Sequence, residues 1–235
     1  MKGLQIVDLN AWYGRAQILF KVALNVNEGE VVVLVGRNGA GKTTTLKAIM
    51  NLLQRVGGSR HFDGRSIAEI GTSAICRMGL GYVPEDRRIF GGLTVMENLY
   101  VGQQPRRHDA PHWTVERLFE IFPNLGRMRN RLGSQMSGGE QQMLTVARTL
   151  MGNPRLILLD EPSEGLAPVI VQQMAAAVRE MKREGLAILL SEQNLHFAKA
   201  VADRAYVMEK GHLRFQGTLE SLFTDETARN AYLSV

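Results

Sequence analysis

The octapeptide Gly36-Arg37-Asn38-Gly39-Ala40-Gly41-Lys42-Thr43 places glycines at 36, 39 and 41 ahead of a lysine and a threonine. This is the pattern G-x-x-x-x-G-K-[ST] of a phosphate-cradling loop. Glycine lets successive backbone N–H groups turn toward one point and leaves no side chain to obstruct an anion. A helix opening at the end of the loop aims its N-terminal dipole at the same place. In such a loop Lys42 reaches the β- and γ-phosphates of a nucleoside triphosphate and the Thr43 hydroxyl ligates Mg²⁺, with Arg37, Asn38, Ala40 and Thr44 lining the cradle. The plainer alternative is a tight glycine turn with a surface lysine. The setting between an apolar strand and a helix argues against it.

Asp160 and Glu161 close the run Leu158-Leu159-Asp160-Glu161-Pro162. A carboxylate at the end of an apolar strand beside a phosphate loop can hold Mg²⁺, and a second one next to it can orient or deprotonate an attacking water. Alone, the run could be a strand ending in a polar turn. A third pattern, Met136-Ser137-Gly138-Gly139-Glu140-Gln141-Gln142, puts a serine and two glycines at the start of a helix, whose N-terminus can also bind phosphate. Alone it is no more than a helix cap.

These groups need a scaffold that brings distant segments together. Residues 4–9 and 22–26 read as short strands, and 31–35 is an apolar run without alternation, as in a strand covered on both faces. Helical spacing follows over 43–53. Residues 89–151 are mainly helical, with Thr94 and Thr114 as N-caps for 95–101 and 115–122 and a polar, proline-bounded linker at 105–111. Buried strands recur at 156–159 and 187–190 around a helix at 169–184, and 204–208 with 212–215 reads as a hairpin about Gly211. Strands alternating with helices predict a parallel α/β core, interrupted by an inserted helical subdomain. The boundaries expected are 1–88 and 152–217 for the core, 89–151 for the insert and 218–235 for a helical tail.

The whole chain of 235 residues, 45% hydrophobic and 22% charged, has the composition of a globular protein. Its lone cysteine, Cys76, excludes an internal disulfide, and no role is assigned to it. No apolar run approaches the roughly 18–20 residues that cross a bilayer, and the N-terminus has no signal-peptide pattern. A cytoplasmic chain that meets a membrane only through a partner is expected. The net charge of +5 is spread over small arginine clusters without interleaved aromatics, so nucleic acid is not an expected partner.

Taken together and in this order, the three motifs resemble those of ATP-binding cassette proteins, and the resemblance covers essentially the whole chain. It implies an ATPase with a phosphate-loop (RecA-like) parallel-sheet core, an antiparallel β subdomain and an inserted α-helical subdomain. It implies ATP and Mg²⁺ as ligands, Lys42 and Glu161 as catalytic residues, and Thr43 and Asp160 at the metal. It further implies a head-to-tail dimer in which the signature Ser137, Gly138, Gly139 and Glu140 caps ATP on the partner. Tyr13 matches the aromatic residue that stacks on adenine. Three positions depart from the family pattern. Glu85, in Val83-Pro84-Glu85, stands where glutamine is usual near the metal. Gln193 stands where a histidine normally contacts the γ-phosphate, and Ala167 where a dimer-contacting aspartate is usual. These variants are similar to those of one ATPase subunit of high-affinity branched-chain amino acid importers, as is Ala231-Tyr232-Leu233 near the C-terminus.

Such importers pair two different ATPases with two permeases and a periplasmic substrate-binding protein, so a non-identical partner is expected here. Permease contact is expected near residues 85–94. Importers of urea and short-chain amides resemble them closely, and ATPases that move lipopolysaccharide or phospholipid have a similar length. Chromosome-organising cassette proteins carry long coiled coils between the motifs, and translation-associated ones carry two cassettes. Neither feature is present in the sequence.

Overall fold

In the computed structural model, which describes residues 2–108 and 110–224, two sheets share the work of burial. The first is a four-stranded antiparallel sheet of β1 (Gly3–Tyr13), β2 (Ala16–Asn27), β4 (Arg55–Phe62) and β5 (Arg65–Ser66), in the order β2-β1-β4-β5. The second holds β3 (Val31–Val35), β6 (Leu80–Val83), β7 (Leu156–Asp160), β8 (Ala187–Glu192), β9 (Arg204–Glu209) and β10 (His212–Thr218), in the order β10-β9-β3-β8-β7-β6. Five strands run parallel, and only β10 turns back antiparallel on β9.

β1 and β2 are longer than their sequence pattern suggests, and the reason is local. In β1 the buried residues are Leu4 and Ile6, then Leu9 and Ala11, so the parity of the inward positions changes midway. A register shift lies between Ile6 and Leu9, and Asp8 there has a φ of 51°. Lys21, with the same φ, separates buried Leu19 from buried Val22. A bulge absorbs one residue and restores the inward face, whereas a period-two reading stops at the break.

Both faces of the parallel sheet are covered. Val31, Val33, Ile157, Leu159, Ile188 and Leu190 point into one apolar cluster; their neighbours Val32, Leu34, Leu156, Leu158 and Leu189 point into the other. The first is closed by α3 (Val95–Gly102), α4 (Val115–Ile121), α5 (Pro123–Arg127), α6 (Gly138–Leu150), α7 (Pro168–Arg183), α8 (Leu195–Val201) and α9 (Leu219–Thr224). The second is closed by α1 (Lys42–Ile49), α2 (Thr72–Met78) and the antiparallel sheet. Each fully buried leucine, isoleucine or valine here contributes about 1.5–3 kcal/mol.

The helical segment 95–150 therefore packs onto the sheet as part of one continuous cluster: Val95, Leu99 and Leu144 join Ile157 and Leu159. Thr94 opens α3 with a capping box to Glu97, and Thr114 caps α4 by accepting from the Arg117 N–H. α1 ends at Ile49, four residues before the end of the helical pattern. Asn51, at a φ of 54°, leaves the helical conformation and donates its side-chain amide to the carbonyls of Ile67, Ala68 and Ile70. Residues 231–233 lie outside the described residues.

Candidate nucleotide site

The residues singled out by type converge at the C-terminal edge of the parallel sheet, where α/β sheets bind ligands. β3 delivers the loop 36–41, β7 delivers Asp160 and Glu161, β8 leads to Gln193, and β6 leads through Pro84 to Glu85. Two of the loop glycines answer to specific constraints. A Cβ on Gly36 would stand 2.5 Å from the Met208 carbonyl oxygen. Gly41, at a φ of 108°, would bring one to 2.9 Å from Leu19.

Lys42 is buried and folds back over the loop. Its Nζ donates to the carbonyls of Gly36 (2.7 Å) and Arg37 (3.2 Å) and pairs with Glu161 Oε1 at 3.0 Å. Thr43 Oγ1 donates to Asp160 Oδ1 at 2.9 Å. Asp160 is fully buried, and its two other partners are hydroxyls as well: Ser191 Oγ at 2.7 Å and Tyr82 OH at 3.2 Å. A buried carboxylate held only by neutral donors is an incompletely compensated charge. Burial and Asp160 in turn raise the pKa of the Tyr82 phenol.

The donor set fits Mg²⁺. A threonine hydroxyl and one carboxylate are hard oxygens, and Mg²⁺ takes one or two such protein ligands and completes its shell with water and phosphate. Among the described residues no group of three or more His, Cys, Asp or Glu forms a dedicated metal cage. Glu85 is exposed. Its carboxyl pKa is pushed up by partial burial first and then by Glu164, Asp160 and Glu161, so it adds to the negative field without a direct bond to the Thr43–Asp160 pair.

Glu161 is itself conformationally constrained. It sits at a φ of 47°, uncommon for a non-glycine residue, and its N–H donates to Ser191 Oγ (3.0 Å) and Ser191 O (3.2 Å). Gln193 Nε2 donates to Asn38 Oδ1 at 2.7 Å and lies 3.5 Å from Glu161 Oε1, which bridges the phosphate loop and the neighbouring carboxylate. Ala167 stands at the N-cap of α7 with no side-chain cap, and Pro168 at the first turn removes one orphan donor instead.

Tyr13 and the signature lie apart from this cluster. Tyr13 ends β1 with its ring 48% exposed, available to a planar partner. Ser137 opens α6 with a capping box to Glu140. The glycines after it have close side-chain neighbours: a Cβ on Gly138 would stand 2.5 Å from the Arg87 guanidinium, the movable end of a long side chain, and one on Gly139 2.9 Å from Ile170. Among the described residues no hydrogen bond or ion pair joins the signature to the phosphate loop of the same chain.

Three site residues were not anticipated from the sequence: Tyr82, Ser191 and Glu192. The last two carried a signal, since two polar residues directly follow the apolar stretch 187–190 at a sheet's C-terminal edge. Glu192 is 1% exposed, and burial pushes its pKa up to about 7 against the downward pull of its hydrogen bonds to Ser163 and Asn194. A carboxyl whose folded pKa lies above its unfolded value of 4.5 binds more protons when folded. Its contribution to stability is therefore full below pH 4.5 and is lost as pH rises to about 7. The loss amounts to roughly 3 kcal/mol. Urea unfolding at pH 5 and pH 8 should show Glu192→Gln gaining on the parent by about that amount at the higher pH, and a pH-independent difference contradicts it.

A phosphate loop between strand and helix, with an aspartate–glutamate pair on a nearby parallel strand, defines a nucleotide-binding cassette of the phosphate-loop class. The ABC transporter family model matches residues 19–164. The high-affinity branched-chain amino acid transport ATP-binding protein BraG of Pseudomonas aeruginosa is 41% identical over 230 residues, covering 98% of this chain and 99% of that one. The lipopolysaccharide export system ATP-binding protein LptB of Escherichia coli is 35% identical over 235 residues, covering 99% and 98%. A solved ATP-binding subunit of an ABC transporter superposes with a TM-score of 0.83 at 28% identity, over 99% of this chain and 96% of that one. The chain belongs to the ABC transporter family, as an ATP-binding subunit whose hydrolysis of ATP is coupled to transport. Among the described residues no helix is long and apolar enough to cross a membrane.

Proposed function

We propose that the chain energises the import of branched-chain or related amino acids, as one of two non-identical ATPases attached to a pair of permeases that receive substrate from a periplasmic binding protein. The observation that carries this reading is the placement of Gln193, whose amide bridges Asn38 and Glu161 where the family pattern has a histidine. An amide donates a hydrogen bond there but carries no charge, so this site depends more on its partner for positive potential. The 41% identity to BraG supports the same cargo class, and the LptB relative makes lipopolysaccharide export the competing outcome.

In this mechanism the loop amides and Lys42 bind the β- and γ-phosphates, and Tyr13 stacks on the adenine. Thr43 and Asp160 would hold Mg²⁺, with Glu85 contributing at longer range, and the ion would supply neutralisation of the phosphate charge. Glu161 takes the proton of the attacking water while Gln193 orients the γ-phosphate. Ser137, Gly138, Gly139 and Glu140 face ATP on the partner subunit, so binding closes the dimer and hydrolysis releases it.

The permeases dock at a groove of about 550 Å³ between the parallel sheet and the helical segment. Phe90, 47% exposed, and Val101, 54% exposed, supply its apolar contacts, and Arg77 and Arg148 its charge. Asn98 fixes this wall: fully buried, it accepts from Phe90 N–H and donates to the carbonyls of Phe90, Leu93 and Thr94.

Tracer uptake in cells lacking the gene tests the cargo. Saturable leucine, isoleucine or valine uptake should fall about tenfold or more and return with the parent chain but not with Phe90→Asp, which places a charge in the docking groove. Intact uptake of all three, with lost urea uptake or retained lipopolysaccharide inside the cell, overturns the amino-acid assignment.

A further inference from the structure

Glu192 takes no part in the chemistry proposed above, yet its carboxylate joins the two loops that carry it. Oε1 accepts from the Ser163 N–H at 3.0 Å, two residues after Glu161. Oε2 accepts from the Asn194 N–H at 3.2 Å, one residue after Gln193. Each oxygen thus holds a different turn. The turn at 161–164 is closed by Glu164 N–H donating to Glu161 O at 3.1 Å, and its other end is held by the Ser191 bonds to Glu161 N–H. The turn at 192–194 leads into α8, which Asn194 caps by accepting from the Phe197 N–H at 3.1 Å.

We infer that Glu192 is a positioning residue for ATP hydrolysis: one buried carboxylate, bonded through separate oxygens to the turns after Glu161 and Gln193, sets the spacing between these two side chains.

The physical case has three parts. First, Glu161 occupies a left-handed backbone conformation that is costly for a non-glycine residue and persists only where the surroundings over-determine it. Ser191 holds one side of that residue, and Glu192 holds the turn on the other. Second, the Gln193 amide reaches Glu161 Oε1 only at 3.5 Å, a long hydrogen bond, so their approach is set more by backbone than by mutual attraction. Third, a wholly buried carboxylate with no cationic partner among its hydrogen bonds is an expensive way to tie two loops. What it offers is geometry: two acceptors on one rigid plane. Glutamine, with the same shape, has one acceptor and one donor, so it must leave one of the two N–H groups unbonded. Aspartate keeps both oxygens but withdraws them by one methylene.

The inference rests on the reading of Glu161 as general base and Gln193 as its neighbour at the γ-phosphate, so the experiment carries its own reference. Glu192→Gln, Glu192→Asp and Glu161→Gln are compared in the transporter assembly purified through the full chain, by phosphate release across a range of ATP concentrations. Hydrogen exchange is measured on the full chain in parallel. A misplacement of about 1 Å at a reacting group can cost on the order of 100-fold. Glu192→Gln should therefore lower kcat by about 10–100-fold and leave the ATP KM within about twofold. Faster exchange should be confined to peptides covering 161–164 and 192–195. Glu192→Asp should show the same split, since the charge alone does not rescue a span that is too short; it also replaces Glu192→Gln if that variant fails to fold. An unchanged kcat in both variants overturns the positioning role, as does a loss of kcat accompanied by faster exchange throughout the chain, which marks a merely structural residue. If Glu161→Gln itself leaves kcat unchanged, it is the general-base reading that fails.

Discussion

Glu161→Gln is expected to slow ATP cleavage at this subunit's site by about 10²–10⁴-fold, the usual worth of a positioned general base, while nucleotide affinity stays within about twofold. The substitution preserves shape. Glutamine can still accept from Lys42, which pairs with Glu161 Oε1 at 3.0 Å, and its N–H still reaches Ser191. What it removes is the capacity to take a proton. The backbone at this position, with a φ of 47°, gains nothing from the change, so the comparison isolates the carboxylate. Single-turnover phosphate release from the purified ATPase pair measures it, with calorimetric titration of ATP beside it. Because the proposed pair is non-identical and its two sites need not be equivalent, the amplitude is as informative as the rate. Loss of about half the burst with the remainder unchanged marks a second competent site on the partner. An undiminished burst with parental kinetics removes Glu161 from the mechanism.

The chemistry was far easier to read from the sequence than the scaffold's edges. Gly36 to Thr43 form one consecutive run and Asp160 and Glu161 another, so each motif is readable by itself; the hydrogen bond from Thr43 to Asp160 spans 117 residues and joins the two. The parallel core was equally legible, because the apolar runs at 31–35, 156–159 and 187–190 are strands buried on both faces. The antiparallel β subdomain was expected, and so were its strands at 4–9 and 22–26, but its full extent was not legible. β1 and β2 change inward parity at bulges, and β4, with Gly57 and Gly58 inside it and only Arg60 and Phe62 buried, has no periodic signal. β6 is a short edge strand in which only Leu80 and Val83 are buried. Glu192 escaped for a different reason: two polar residues after an apolar run mark a sheet edge but not a role, and its purpose is visible only once the turns at 163 and 194 are seen to meet on it. Glu85, expected at the metal, stands in the field of the nearby carboxylates: partial burial first, and then Glu164, Asp160 and Glu161, push its carboxyl pKa up.

Lys42→Ala should have two separable consequences, and a double-mutant cycle can part them. The first is a loss of nucleotide affinity. Lys42 already spends its donors on the carbonyls of Gly36 and Arg37 and on Glu161, which fixes the ammonium over the loop where phosphate oxygens take over those bonds. A hydrogen bond to a charged group contributes about 1.5–3 kcal/mol, so affinity should drop by roughly 10–100-fold. The second consequence is a loss of stability without any ligand. Both side chains of the Lys42–Glu161 pair are 5% exposed, and removing one partner leaves the other charge buried. That costs about 3 kcal/mol, the lower end of what broken buried pairs cost. Glu161→Gln in the Lys42→Ala background removes the stranded charge and should recover most of that stability, yet none of the affinity. Urea unfolding of the four proteins yields the coupling between the two side chains, and ATP titration of the same four shows whether binding follows it. A double variant that regains affinity along with stability contradicts the direct role of Lys42 at phosphate, because the loss would then have come from the distorted site alone.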